Sequence, residues 1–152
     1  MLTYIVTGIK EALRLFPPVP VGVPRVVPST ALGQTMPGRS VPADTRVSVH
    51  HYATYHSPAN FRNPDSFVPE RWLNDPAYKD DNRDCWRPFA VGPRDCVGQN
   101  MAMYEMQFVL ARLFFKFDLE GSEANKGWEN QRAFILWEKK PLMCRPTLTP
   151  RN

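Results

Sequence analysis

The sequence predicts a mainly helical α+β fold with small β-sheets. Three observations carry this expectation. Residues 2–16 and 97–117 space their apolar side chains as helices do. Proline is abundant, 16 in 152 residues, and crowds the region between those helices, which excludes long helices there. Short runs near 45–50, 134–137 and 142–145 read as strands.

Length and composition narrow the class further. A chain of 152 residues, 43% apolar and 22% charged, is globular and long enough for one domain with a core. The net charge of +4 is spread along the chain without a Lys/Arg run, so no nucleic-acid partner is expected. The three cysteines, Cys85, Cys96 and Cys144, form no CxxC pair. That argues against a disulfide framework and for a reducing compartment. His50 and His51 are adjacent and would face opposite sides of a strand, so they and His56 make a poor zinc site. No run of 18 or more apolar residues exists, so no membrane span or anchor is expected in this chain. Met1 leads into the first helix without a secretory signal pattern.

The elements follow in order. Leu2, Ile5, Val6, Ile9 and Leu13 form one helical face, and Pro17-Pro18 ends the helix, because a residue before proline avoids the helical region. Residues 17–88 form a proline-rich and strand region. Within it, Val19 to Pro28 reads as extended chain or an edge strand. Turns are expected from Gly33 to Thr45, a strand from Thr45 to His50, and a short helix near Tyr52–His56. Ser57 to Asn74 is loop-like, and Asp75 to Asp84 is a polar loop. The helix at 97–117 is apolar nearly all round, with Met101, Tyr104, Phe108, Ala111 and Phe115 on one face, which predicts burial. A C-terminal hairpin is expected over 132–146, turning at Lys139-Lys140-Pro141.

Between these elements lies the run Phe89-Ala90-Val91-Gly92-Pro93-Arg94-Asp95-Cys96-Val97-Gly98. It sets one cysteine at the start of the longest helix, where the positive end of the helix dipole favours a thiolate. Arg94 adds a fixed positive charge, and Gly92 and Gly98 leave bare backbone for a flat partner to approach. Two further motifs contain charges suited to pairing. Glu11-Ala12-Leu13-Arg14 places Glu and Arg three apart on one helix face. Pro69-Glu70-Arg71-Trp72 follows in the proline-rich region.

Together these motifs resemble the cytochrome P-450 (haem-thiolate monooxygenase) family. The loop matches its Phe-x-x-Gly-x-Arg-x-Cys-x-Gly signature, Glu11 to Arg14 its K-helix Glu-x-x-Arg, and residues 69–72 its Pro-Glu-Arg-Phe segment with Trp72 at the aromatic position. The resemblance implies the C-terminal, haem-binding portion of that fold, with residues 2–16 as K helix and 97–117 as L helix. Cys96 would be the axial ligand of haem b iron and the catalytic thiolate. Arg94 and Arg25 would meet the propionates, Phe89 would shield the sulfur, and Gly98 would lie beside it. Glu11, Arg14 and Arg71 would form a structural triad.

The implied reaction inserts one oxygen atom of O2 into a lipophilic small molecule, with electrons from NADPH through a reductase docked near Arg83, Arg87 and Arg94. Val19 to Val23 and Ala133 to Ile135 would line the substrate pocket. The motif style resembles microsomal, fungal members, whose parent chains are anchored on the cytosolic face of the endoplasmic reticulum membrane.

The resemblance reaches only the family's C-terminal third, so the distal helix with its acid-alcohol pair is expected elsewhere and the chain reads as a fragment. Without that distal layer, one haem face and the apolar face of helix 97–117 would meet water, which predicts aggregation or partner binding. An isomerase or dehydratase of the same fold, and a non-catalytic fragment, remain alternatives. Pro42-Ala43-Asp44 departs from the family's Pro-x-Gly, a turn that aspartate tolerates at positive φ.

Overall fold

The computed structural model describes residues 2–29, 34–36 and 38–150. Among the described residues, three helices, α1 (Leu2–Leu15), α2 (His51–Tyr55) and α3 (Gln99–Lys116), share the fold with three two-stranded antiparallel sheets. Helix α1 stops where the sequence demands, one residue before Phe16-Pro17-Pro18. Its inner face buries Ile9 and Leu13, but also Thr7, Glu11 and Arg14. Helix α1 packs on α3 and on a 3-10 turn at Pro69–Trp72.

The proline-rich region bends back on itself. Strand β1 (Arg25–Val26) pairs with β4 (Arg46–Val47), with Arg25 opposite Val47. Asp44 turns at φ 62, and its N–H donates to the Val27 carbonyl at 2.9 Å, so the aspartate takes the left-handed turn the sequence required of it. The strand expected over Thr45 to His50 is shorter than the sequence predicts, because Val49 faces solvent and has no partner strand. Strands β2 (Gln34–Met36) and β3 (Arg39–Val41) form a small hairpin where the sequence predicts turns alone. The expected Gly33 turn start lies outside the described residues.

Two expectations are corrected. The hairpin over 132–146 does not form. Instead β5 (Phe117–Gly121) pairs with β6 (Cys144–Leu148), Phe117 opposite Leu148 and Gly121 opposite Cys144. Phe117 to Glu120 alternates apolar and polar side chains as a strand should, whereas Phe134-Ile135-Leu136-Trp137 does not alternate. Residues 133–137 close a tight turn, with Ala133 bridged to Trp137. Trp137 is drawn away to α1, stacking on Phe16 at 4.3 Å and donating its indole N–H to the Pro17 carbonyl at 2.7 Å.

The second correction is to the burial that the apolar pattern of α3 predicts; the water-facing side expected of this helix in a fragment is what the structure shows. No residue of this helix is buried, and Met101, Tyr104 and Phe108 are 74%, 73% and 68% exposed. One flank of α3 meets α1 across an apolar cavity of about 710 Å³ lined by Ile5, Ile9, Leu13, Met106, Leu110 and Trp128. The opposite flank faces solvent, so an all-round apolar pattern has only one covered side here.

Gly22 shows how tightly the bend after α1 is set. It has φ +71, and a Cβ there would lie 1.9 Å from the Val49 carbonyl oxygen. Gly22→Ala is expected to cost at least about 1–3 kcal/mol from the backbone conformation alone, with the clash added. Urea unfolding of the variant checks this, and an unchanged midpoint would contradict the close approach of the Val49 carbonyl.

Candidate functional site

The buried centre of the protein is ionic. Glu11, Arg14 and Arg71 have no solvent exposure, although they come from α1 and from a turn some 60 residues later. Arg14 engages Glu11 through two parallel bonds, Nε to Oε2 at 3.0 Å and Nη2 to Oε1 at 2.9 Å. Arg71 Nε reaches Oε1 at 3.0 Å, the Val68 N–H reaches the same oxygen at 3.0 Å, and the Trp72 indole N–H reaches Oε2 at 2.9 Å. The remaining Arg14 donors meet the carbonyls of Tyr55 (2.8 Å), Pro64 (2.6 Å) and Ser66 (3.0 Å).

Arg71 turns its other side to Asp81, which is nearly as buried, and to the Arg62 carbonyl at 3.1 Å. Two carboxylates therefore balance two guanidiniums, the condition under which buried charge is tolerated. Phe61, fully buried, lies under both guanidiniums at 5.3 and 5.7 Å. Glu70, next to Arg71 in sequence, faces outward and accepts from the Tyr4 hydroxyl at 3.0 Å.

Burial alone would push the Glu11 carboxyl up. Hydrogen bonds from Arg14, the Val68 amide and Trp72, with the Arg14 charge, outweigh it and hold the group below its ordinary 4.5.

Asp81, Trp72 and Phe61 are not legible in the sequence as members of this cluster. Asp81 sits in Asp80-Asp81-Asn82-Arg83-Asp84, which reads as a solvated polar loop, and nothing local distinguishes it from its neighbours. Trp72 is visible only as an aromatic beside Arg71.

The second assembly is the Cys96 loop. Ala90 has φ 62 and Gly92 φ 79, so the chain reverses twice before a 3-10 turn at Gly92–Arg94. The Asp95 N–H closes that turn on the Gly92 carbonyl at 3.0 Å, and the Cys96 N–H closes the loop on the Phe89 carbonyl at 2.9 Å. Gly98 then caps α3, and a Cβ there would sit 3.9 Å from the Cys96 sulfur. The Cys96 thiol is exposed, and so are Val91 and Val97 of the loop and Met101 in the first turn of α3.

Arg25 reaches this loop from β1, donating Nη2–H to the Val91 carbonyl at 3.2 Å. Arg94 is exposed on the 3-10 turn, and Phe89 is half-buried. The basic trio near the loop is looser than its sequence suggests. Arg83 turns inward to Asn74 and the Tyr78 carbonyl, while Arg87 lies 3.8 Å from Asp84. Val23 lines a cavity of about 700 Å³ with Arg25, Val47, Val49 and Val91, whereas Ala133 to Ile135 take no part in its wall. The three cysteines are free thiols, and among the described residues no helix is long and apolar enough to cross a membrane.

The cytochrome P-450 family profile matches residues 1–145. The chain belongs to the cytochrome P-450 family. Cytochrome P-450 monooxygenase AMT3 of Alternaria alternata is 44% identical over 147 residues, which are 97% of this chain and 30% of that protein. Trichothecene C-4 hydroxylase of Trichoderma arundinaceum is 45% identical, covering 95% of this chain and 30% of its own length. The chain thus spans about 30% of the curated P-450 relatives it matches. Among solved structures, the retinoic-acid-bound cyanobacterial CYP120A1 superimposes with TM-score 0.67 at 29% identity, over 79% of this chain and 27% of its own. The heme domain of cytochrome P450DA shares the fold with TM-score 0.77 at 21% identity, over 96% of this chain and 31% of its own. The α+β architecture is therefore that of a P-450 fragment.

The ionic cluster carries a testable pH dependence. Because Glu11 titrates below 4.5 in the folded chain, its stabilisation is complete above that pH and is lost as pH falls through the folded value. Glu11→Gln should remove that part of the acid limb and lower stability by about 3–5 kcal/mol. Urea unfolding across a pH series reads both effects, and an acid limb as steep as in the native chain would contradict them.

Proposed function

We propose that this chain is the proximal, haem-binding part of a P-450 monooxygenase and that Cys96 is its axial iron ligand. The observation that carries the reading is the Cys96 loop. An exposed thiol stands just before α3 on a segment that also exposes Val91, Arg94, Val97 and Met101, and Arg25 is hydrogen-bonded to the same loop at Val91. That donor set suits a flat apolar ring with a thiol-seeking metal and two carboxylates.

In this reading Cys96 would hold the iron as thiolate, and the backbone bond from its N–H to the Phe89 carbonyl fixes the loop around it. Arg25 and Arg94 would hold the propionates. Phe89 covers the inner side of the sulfur and limits water there. Gly98 keeps the space beside the sulfur clear of a side chain. The triad of Glu11, Arg14 and Arg71 has no chemical step of its own; it fixes α1 against the segment leading to the loop. Bound haem b would supply the oxygen chemistry, by which one atom of O2 enters a lipophilic small molecule and the other leaves as water, with two electrons from NADPH through a reductase and two protons. Residues that would activate oxygen on the distal side are expected on the part of the fold that this chain, about 30% of its relatives' length, does not span.

Haem titration of the native chain and of Cys96→Ala tests the assignment. The native chain should give the carbon monoxide difference band of thiolate-ligated iron, and the variant should lose it. A thiolate band persisting in Cys96→Ala would end the assignment.

A further inference from the structure

The ionic cluster and the Cys96 loop are joined through one residue outside all three motifs. Tyr55 is the last residue of α2 and has no solvent exposure. Its carbonyl accepts the Arg14 Nη1–H at 2.8 Å, and its hydroxyl oxygen accepts the Arg87 backbone N–H at 2.9 Å. One end of Tyr55 is thus held by the cluster, and the other holds the chain two residues before Phe89. His51, one turn earlier, stacks on the ring at 5.5 Å and an interplanar angle of 7°.

The position of Arg87 gives this bond leverage. Pro88 follows it, has no N–H and fixes its own φ, so the Arg87 amide is the last backbone donor before Phe89. The Arg87 carbonyl accepts the Ala90 N–H at 2.9 Å, closing the turn in which Ala90 is left-handed. The Phe89 carbonyl then accepts the Cys96 N–H at 2.9 Å. Hydrogen bonds run from Glu11 through Arg14 and Tyr55 to Arg87, the chain continues through Pro88 to Phe89, and the Phe89 carbonyl closes on Cys96. Burial pushes the Tyr55 phenol up to about 12, so it stays neutral and its oxygen keeps the same role across physiological pH.

We propose that Tyr55 is a positioning residue whose hydroxyl sets the register of the loop carrying Cys96, and hence the direction in which the sulfur faces. Its purpose rests on the haem-thiolate reading; its geometry does not. Tyr55→Phe keeps the ring and removes the hydroxyl, leaving the part-buried Arg87 N–H without its acceptor.

Amide hydrogen exchange on the full chain is the primary test. In the native chain the Arg87 amide should exchange slowly. Rapid native exchange there overturns the proposal even if Tyr55→Phe fails to fold. In Tyr55→Phe the Arg87, Ala90 and Cys96 amides should exchange about tenfold faster, while those of α1 keep their rates. Ile9→Val, a buried substitution on α1, serves as comparison: uniform acceleration in Tyr55→Phe, as a general loss of stability gives, overturns the proposal. So do loop amides that exchange as in the native chain. In the haem-loaded chain, Tyr55→Phe should bind haem to the same endpoint with a smaller thiolate-ligated fraction in the carbon monoxide spectrum. A native chain without thiolate-ligated iron overturns the haem reading, while the exchange rates judge the positioning role separately.

Discussion

Glu11 accepts five hydrogen bonds inside the protein, from Arg14 twice, Arg71, Trp72 and the Val68 amide. A carboxylate without water is tolerable only if its acceptor sites are filled and its charge is balanced, and both conditions are met here. The geometry is demanding. Helix α1, the 3-10 turn at Pro69–Trp72, the Asp81 loop and the end of α2 must all arrive together. The interaction therefore works less as a source of net stability than as a specification of which segments meet.

That specification matters because the apolar core is small. Prolines apart, the buried apolar side chains among the described residues are Ile9, Leu13, Val27, Tyr55 and Phe61, and Phe61 lies under the two guanidiniums. Much of the chain between α1 and α3 is loop, turn and two-residue strand, with little regular structure to hold its own shape. Arginine suits such a region. Its planar fork caps several carbonyls that no strand would pair, as Arg14 does for Tyr55, Pro64 and Ser66.

The outer layer has the opposite character. Helix α3 keeps Met101, Tyr104 and Phe108 in solvent, and the turn at 133–137 exposes Phe134, Ile135 and Leu136. Surfaces of this kind mark contact with something larger. They agree with a chain that spans about 30% of the length of its P-450 relatives.

The family, the helices at both ends of the motif series and the strings that supply Glu11, Arg14 and Arg71 are all readable along the chain. Those features are local: periodicity in α1 and α3, the proline stop at residue 17, and short strings whose order alone is distinctive. The sequence also anticipated the left-handed Asp44, because so few residues accept that conformation. Only the tertiary structure decided the rest. Asp81 became a partner of Arg71, Tyr55 came to bridge the cluster and the loop, and β6 paired with β5 instead of with residues 134–137. Each of these depends on which distant segments are brought within hydrogen-bond reach. A polar loop residue, a short-helix tyrosine and a strand edge look the same in sequence whichever partner they find.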